Sequence, residues 1–240
     1  MRTFEEYISE IERGGASAGK LEVAKLSEEQ AYRYAVMKYL KAGRDLDEEI
    51  PNFRENFQKA KYKAMIGKTK RKDMPVVSNQ VSLLQNLLKR GAIDITDPFS
   101  PDTLEKNPFP QGLSGEQAKT FLSAGLKIHD GLKRDDIVKF KKGKVEVQKL
   151  IPIQQQIYFD KVIDKQVTES KKATIHVMTQ AATFIASSDF KIIDGHHRFV
   201  SSMLIDPKMK VKIMMIDLPI DKLLPLTLAF SDAIGNKRNG

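Results

Sequence analysis

Apolar residues along the first 145 positions recur mainly at helical spacing. Phe4, Ile8 and Ile11 follow the capping box Thr3-Phe4-Glu5-Glu6. A second box, Ser27-Glu28-Glu29-Gln30, opens a helix through Tyr34, Val36, Met37 and Leu40 to about Ala42, with Gly43 as its stop. Residues 52–66 predict a third helix, closed by Gly67. A fourth starts at Ser78 or Asn79 and carries the stripe Val81, Leu84, Leu87 and Leu88. Between these lie the flexible connector 14–19, an ambiguous stretch 21–26 and an extended stretch 73–77. The proline-rich 93–110 reads as a long loop, and 114–125 as a short helix. A segment from Asp135 ends in a turn at Lys141-Lys142-Gly143-Lys144.

From Val145 the pattern changes. Val145, Val147 and Leu150-Ile151-Pro152 predict a strand, and 154–166 a helix. Ile175-His176-Val177, Phe184-Ile185-Ala186 and Phe190-Lys191-Ile192-Ile193 predict strands, the last two joined by the turn Ser187-Ser188-Asp189. A helix carries Phe199, Val200, Met203 and Leu204, a strand covers 211–216, and a last helix covers 221–234. The fold class expected is α+β, with residues 1–144 mainly helical and residues 145–240 a compact mixed α/β domain.

Composition narrows the chemistry. The 240 residues include no cysteine, which excludes disulfides, thiolate metal sites and a cysteine nucleophile. No apolar run reaches the roughly 20 residues of a membrane span. The start of the chain lacks the apolar core of a signal peptide, so a soluble, cytoplasmic protein is expected. The net charge is +9, and residues 51–80 concentrate it, with 8 basic against 2 acidic side chains. Lys59, Lys61, Lys63, Lys68, Lys70, Arg71 and Lys72 form this block. It reads either as a solvated face or as a contact to a nucleic-acid backbone. Tyr62 is its only aromatic neighbour, so base stacking is not indicated.

The most informative stretch is Lys191-Ile192-Ile193-Asp194-Gly195-His196-His197-Arg198-Phe199. It predicts a strand, a tight glycine turn and a helix start, an arrangement that aims backbone N–H groups and a positive dipole end at an anion. Arg198 suits bidentate phosphate binding. Asp194 suits helix capping, orientation of a histidine, or a phosphate-bound Mg²⁺. His196 and His197 lie about 100° apart on a helix. One is therefore expected to face the ligand while the other packs or caps. His176 and His129 are weaker candidates, and two adjacent histidines alone do not give zinc spacing.

Residues 145–234 resemble the ParB/sulfiredoxin superfamily. The carriers are Val147 to Pro152 with the glutamine-rich stretch after it, the strand 184–189, and above all Ile193-Asp194-Gly195-His196-His197-Arg198-Phe199. The Asp-Gly-His-His-Arg form is similar to the free-serine-kinase-like branch and to related domains in phage genomes. The resemblance implies that Gly195 lets backbone approach phosphate, that His196, His197 and Arg198 bind phosphate, and that Asp194 is the acidic residue before the glycine. Sulfiredoxin's cysteine position holds His196, which excludes sulfinic acid reduction. The kinase branch has a catalytic glutamate after a proline, whereas Pro152-Ile153 here is followed by Gln154, Gln155 and Gln156. Glutamine positions a hydroxyl but is a poor general base.

The function expected is a nucleotide-binding phosphotransferase or NTP hydrolase using ATP or ADP with Mg²⁺. Gly195, His196, His197, Arg198 and Gln154 to Gln156 would bind the nucleotide, His196, His197 and Asp194 would act in catalysis, and Asp194 would hold the metal. Residues 1–144 would form a lid or a surface for a protein partner. One alternative is a ParB-like nucleic-acid-binding protein, or a nuclease, working through Lys68, Lys70, Arg71 and Lys72. Another is a non-enzymatic phage accessory or virion protein that retains the fold.

Overall fold

A computed structural model of the chain describes residues 20–77, 81–90, 137–233 and 236. The predicted features at 1–19 and 93–136, including His129, lie outside these residues. So do Ser78 and Asn79 as caps of the fourth helix.

Eight helices of α type and five strands occur among the described residues: α1 (Glu28–Lys41), α2 (Leu46–Glu49), α3 (Phe53–Ala64), α4 (Val81–Arg90), β1 (Phe140–Glu146), β2 (Ile151–Pro152), α5 (Phe159–Thr168), α6 (Lys171–His176), β3 (Thr183–Ala186), β4 (Lys191–Asp194), α7 (His196–Ile205), β5 (Lys210–Ile216) and α8 (Ile220–Ala233). The class is α+β, with a helical N-terminal part and a mixed five-stranded sheet. No described helix is long and apolar enough to cross a membrane.

The chain forms two compact units. The first comprises Met1–Lys68, Val145–Ala182 and His196–Val211. The second comprises Thr69–Lys144, Thr183–Gly195 and Lys212–Gly240.

In the first unit α1, α3, α5 and α7 pack around aromatic rings. The Ser27 hydroxyl accepts from the Gln30 N–H at 3.1 Å, and the Gln30 side chain accepts from the Ser27 N–H at 2.9 Å. The predicted capping box is therefore formed, fixing where α1 starts. Gly43, at φ 69°, follows its end. Ala31, Tyr34, Ala35 and Tyr39 form the buried stripe of α1, while Leu40 stays exposed. Phe159 on α5 meets Tyr34 at 5.9 Å and Phe57 at 5.5 Å between ring centroids, and Phe53 stacks on Phe57 at 6.3 Å. Tilted and edge-on pairs of this kind add about 0.5–1.5 kcal/mol each beyond burial. Asn56 on α3 is buried but satisfied, donating to the Leu204 carbonyl of α7 at 2.9 Å.

Tyr39 is also deeply buried, and burial pushes its phenol up to about 12. Glu49 raises it further, while Arg44 acts in the opposite direction. Its proton is held more tightly in the folded chain than in the unfolded one. The stability this provides is complete below about pH 10 and is lost as pH rises through the folded value. Denaturation midpoints measured from about pH 9 to pH 12 should fall by up to about 2 kcal/mol, and Tyr39→Phe should flatten that decline.

The second unit is organised on the sheet, whose order there is β1-β5-β3-β4. β3 and β4 run antiparallel, with Ile185 opposite Asp194 and a bulge between Ile185 and Ala186. β5 runs parallel to β3, with Thr183 opposite Lys212 through Ala186 opposite Met215. The β3–β4 turn holds Phe190 at φ 61°, and the Ser187 N–H donates to the Lys191 carbonyl at 3.0 Å. Phe184, Ile185, Ile192, Ile193 and Met214 are buried, as are Leu84 and Leu88 on α4 and Leu223, Leu226 and Phe230 on α8.

Four sequence expectations are corrected. The strand expected over Val145 to Pro152 is broken: β1 ends at Glu146, Val147–Lys149 is a 3₁₀ turn, and β2 covers only Ile151–Pro152. Ile175-His176-Val177 is not a strand: Ile175 and His176 end α6, and Val177–Ala181 continues as a π-type turn. Ser170 caps α6 by accepting from the Ala173 N–H at 3.1 Å, a start signal that outweighs the β preference of Ile175 and Val177. Lys141-Lys142-Gly143-Lys144 is not a turn but the middle of β1, exposed along the sheet edge. Lysines are a common guard on edge strands. The helix expected from Gln154 begins only at Phe159.

Candidate functional site

β4 ends at Asp194, Gly195 turns, and α7 starts at His196. Gly195 takes φ 116°, a conformation that a residue with a Cβ adopts only under strain. The predicted strand, turn and helix start are therefore all formed. The first turn of a helix leaves N–H groups without intrahelical partners, and the dipole favours negative charge there.

The two histidines do something the sequence did not suggest. His196 Nε2 accepts from the Ile153 N–H at 3.3 Å, and His197 Nε2 accepts from the Tyr158 N–H at 3.2 Å. An accepting Nε2 carries no proton, so each ring holds its proton on Nδ1. The expectation was one histidine toward a ligand and one toward the protein. Instead both grip the backbone of segment 153–158, one at each end. Their divergence of about 100° on the helix is what lets them reach two points five residues apart.

The segment so gripped contains Gln154, Gln155 and Gln156. Gln154 is buried and its amide donates to the Gln156 carbonyl, whereas Gln155 is exposed and Gln156 half-buried. The segment is fixed from other directions too. The Val23 N–H donates to the Ile157 carbonyl at 2.9 Å, and the Phe159 N–H to the Leu21 carbonyl at 2.6 Å. Gly67 lies so close beneath that a Cβ placed on it would come within 2.4 Å of the Gln154 carbonyl oxygen. Lys63 donates to the Leu150 carbonyl at 2.9 Å, just ahead of the segment. Burial holds its ammonium below the ordinary lysine range.

Cations gather at the far end of the segment. Lys20 Nζ lies 5.0 Å and Lys161 Nζ 5.5 Å from the centre of the Tyr158 ring, and the His197 ring lies 6.0 Å from it. Tyr158, Lys161 and Lys20 were not singled out in the sequence. Asp160 follows, accepting from the Leu21 N–H at 3.2 Å, and burial raises its carboxyl above the ordinary aspartate range.

Arg198 is half-buried on the first turn of α7, and Asp194 is half-buried at the end of β4. Among the described residues no three His, Asp or Glu side chains gather into a metal-holding set. A single carboxylate at Asp194 still fits an Mg²⁺ ion that draws its other ligands from phosphate and water. His176 is exposed on α6.

The basic block is divided in its roles. Lys59 pairs with Glu55 at 2.6 Å, and Lys63 is committed to the Leu150 carbonyl. Lys68, Lys70 and Lys72 are exposed, and Arg71 is half-buried in a short 3₁₀ turn.

Comparison of the chain with protein-family models, with curated proteins and with solved structures gives no match.

Proposed function

We propose that the chain binds a nucleotide phosphate at the turn Asp194-Gly195-His196-His197-Arg198 and acts as a phosphotransferase or NTP hydrolase. The observation that carries this reading is the double histidine grip. It holds the glutamine segment beside the first turn of α7, so that helix start and the polar segment are held together in one unit. The resemblance of the motif to ParB/sulfiredoxin domains supports the same reading.

Each residue then has a distinct task. Gly195 lets the backbone approach a phosphate, and the first N–H groups of α7 receive its oxygens. Arg198 grips those oxygens with its guanidinium. His196 and His197 act as positioning residues that fix the segment carrying Gln155 and Gln156. Those amides orient a hydroxyl or water toward the phosphate. Asp194 is the candidate ligand for Mg²⁺, which would supply charge neutralisation with ATP or ADP. With no general base among the glutamines, rate enhancement rests on positioning and charge stabilisation. The nucleic-acid reading rests on Lys68, Lys70, Arg71 and Lys72, of which Lys68, Lys70 and Lys72 are exposed, while Lys59 and Lys63 of the same block are engaged within the protein.

Calorimetric titration with ATP and ADP in the presence of Mg²⁺ tests the proposal. Arg198→Ala should weaken binding about tenfold or more, the value of a lost charge-assisted contact. His196→Ala should weaken it by displacing the segment from Ile153. Unchanged affinity in both variants overturns the reading.

A further inference from the structure

The end of α3 gathers three exposed apolar side chains of the first unit. Phe53, Phe57, Ala60 and Ala64 form the buried stripe of this helix. On the opposite face Tyr62 is 74 % exposed, and Met65 and Ile66, which follow the helix end, are 61 % and 49 % exposed. Positions 62, 65 and 66 are three and four residues apart, so they share one face. Side chains this exposed stand out from the surface rather than line a groove. A contiguous apolar patch on a monomer is often functional.

Cations surround these tips. Lys59 lies three residues before Tyr62, Lys61 adjoins it, and Lys68 follows Ile66 by two residues. Lys149, also exposed, precedes Leu150, whose carbonyl accepts from Lys63 of the same helix at 2.9 Å. All belong to the first unit. From Asn56 to Lys72 the chain has no acidic residue. Lys59 pairs with Glu55, whereas Lys61, Lys68 and Lys149 pair with no carboxylate among the described residues.

An apolar tip ringed by lysines selects among partners. A protein helix docks in a groove, and protein interfaces are depleted in lysine. A nucleic-acid backbone would use the lysines and leave the three apolar side chains in water. An anionic lipid surface uses both. Apolar tips enter the boundary between headgroups and acyl chains, while lysine stems lie along them and place their ammonium groups at the lipid phosphates. Tyrosine favours that boundary, with its ring in the apolar layer and its hydroxyl in the wet one.

We propose that this face of α3 docks the protein on an anionic lipid surface. The docking is peripheral: the other face of α3 stays in the core, and no described helix is long and apolar enough to cross a membrane. It rests on α3 and its lysines and does not depend on nucleotide binding.

Co-sedimentation of the full chain with lipid vesicles tests this. The chain should pellet with vesicles of phosphatidylcholine mixed with phosphatidylglycerol and stay in solution with phosphatidylcholine alone. Added salt should release it. Tyr62→Ser combined with Met65→Ser should weaken binding about tenfold or more, because no large apolar side chain then enters the boundary at those positions. Lys68→Gln should weaken it about fivefold, the worth of one lysine near such a surface. Both variants should melt at the wild-type temperature, since the substituted side chains are exposed. Binding to neither kind of vesicle leaves this face to a protein or nucleic-acid partner and overturns the proposal. Equal binding to both kinds does so too. So does binding that Tyr62→Ser with Met65→Ser leaves unchanged, which would make the contact one of charge alone.

Discussion

Gly67→Ala should destabilise the protein by about 3 kcal/mol, at the upper end of what overpacking costs. The new methyl would sit 2.4 Å from the Gln154 carbonyl oxygen, 2.8 Å from its carbonyl carbon and 3.0 Å from the Ile153 carbonyl carbon. All three are backbone atoms, so no rotamer change relieves the contact. The segment has little freedom to retreat. His196 and His197 hold its ends, and the chain at Leu21 and Val23 holds its later part. Either α3 and its exit must shift or the histidine bonds must lengthen. The first outcome lowers the melting temperature, and the second also loosens Gln155 and Gln156. Thermal unfolding combined with nucleotide titration separates the two. Gly143→Ala is the matched control. Its Cβ meets nothing within 4 Å on an exposed strand, so its effect should stay within about 0.5 kcal/mol.

Arg44→Ala should cost about 3–5 kcal/mol, read from urea denaturation midpoints. The guanidinium forks onto Glu49, with Nε to Oε1 at 2.6 Å and Nη2 to Oε2 at 2.5 Å. Its Nη1 donates to the carbonyls of Gln166 at 2.8 Å, Val167 at 3.1 Å and Glu169 at 2.8 Å. These carbonyls lie at the C-terminal end of α5, where the helix has no N–H left to offer and where a cation is favoured. The hydrogen bond to Glu49 pushes the guanidinium even further above its ordinary range. Removing the side chain leaves a carboxylate at Glu49 without its cation and three carbonyls without this donor. Arg44→Lys should recover less than half of the loss, because one ammonium cannot satisfy a carboxylate and a helix end at once.

Parts of the site were legible because they depend on neighbours in sequence. Asp194, Gly195 and the start of α7 follow from a strand pattern, a glycine and a helical pattern in succession. Arg198 follows from the same motif. The histidines were legible as candidates but not in their action. Their partners are the amides of Ile153 and Tyr158, about forty residues earlier, and no spacing rule connects positions so far apart. The glutamine segment was read as helix because it runs into a true helical pattern. Tertiary bonds to His196 and His197 draw amides at 153 and 158 out of any helical ladder, and α5 starts only after them. Gly67 read as a helix stop, and its second task, close contact with Gln154, needs coordinates to be seen.

The sequence by itself determined what short-range chemistry controls. The Ser27 capping box, the stops at Gly43 and Gly67, the β3–β4 turn and the helix after Gly195 are all settled within a few residues. The α+β class follows from the change in apolar spacing near Val145. The tertiary structure decided what long-range contacts control. Lys141 to Lys144 became an edge strand because a neighbouring strand offered pairing to a stretch that locally resembles a turn. Residues 175–177 are helical because Ser170 caps α6, which runs through Ile175 and His176 into the turn that starts at Val177. Arg44 acquired its role only when α5 ended beside it, since burial and pairing are properties of packed neighbours and not of the residue type.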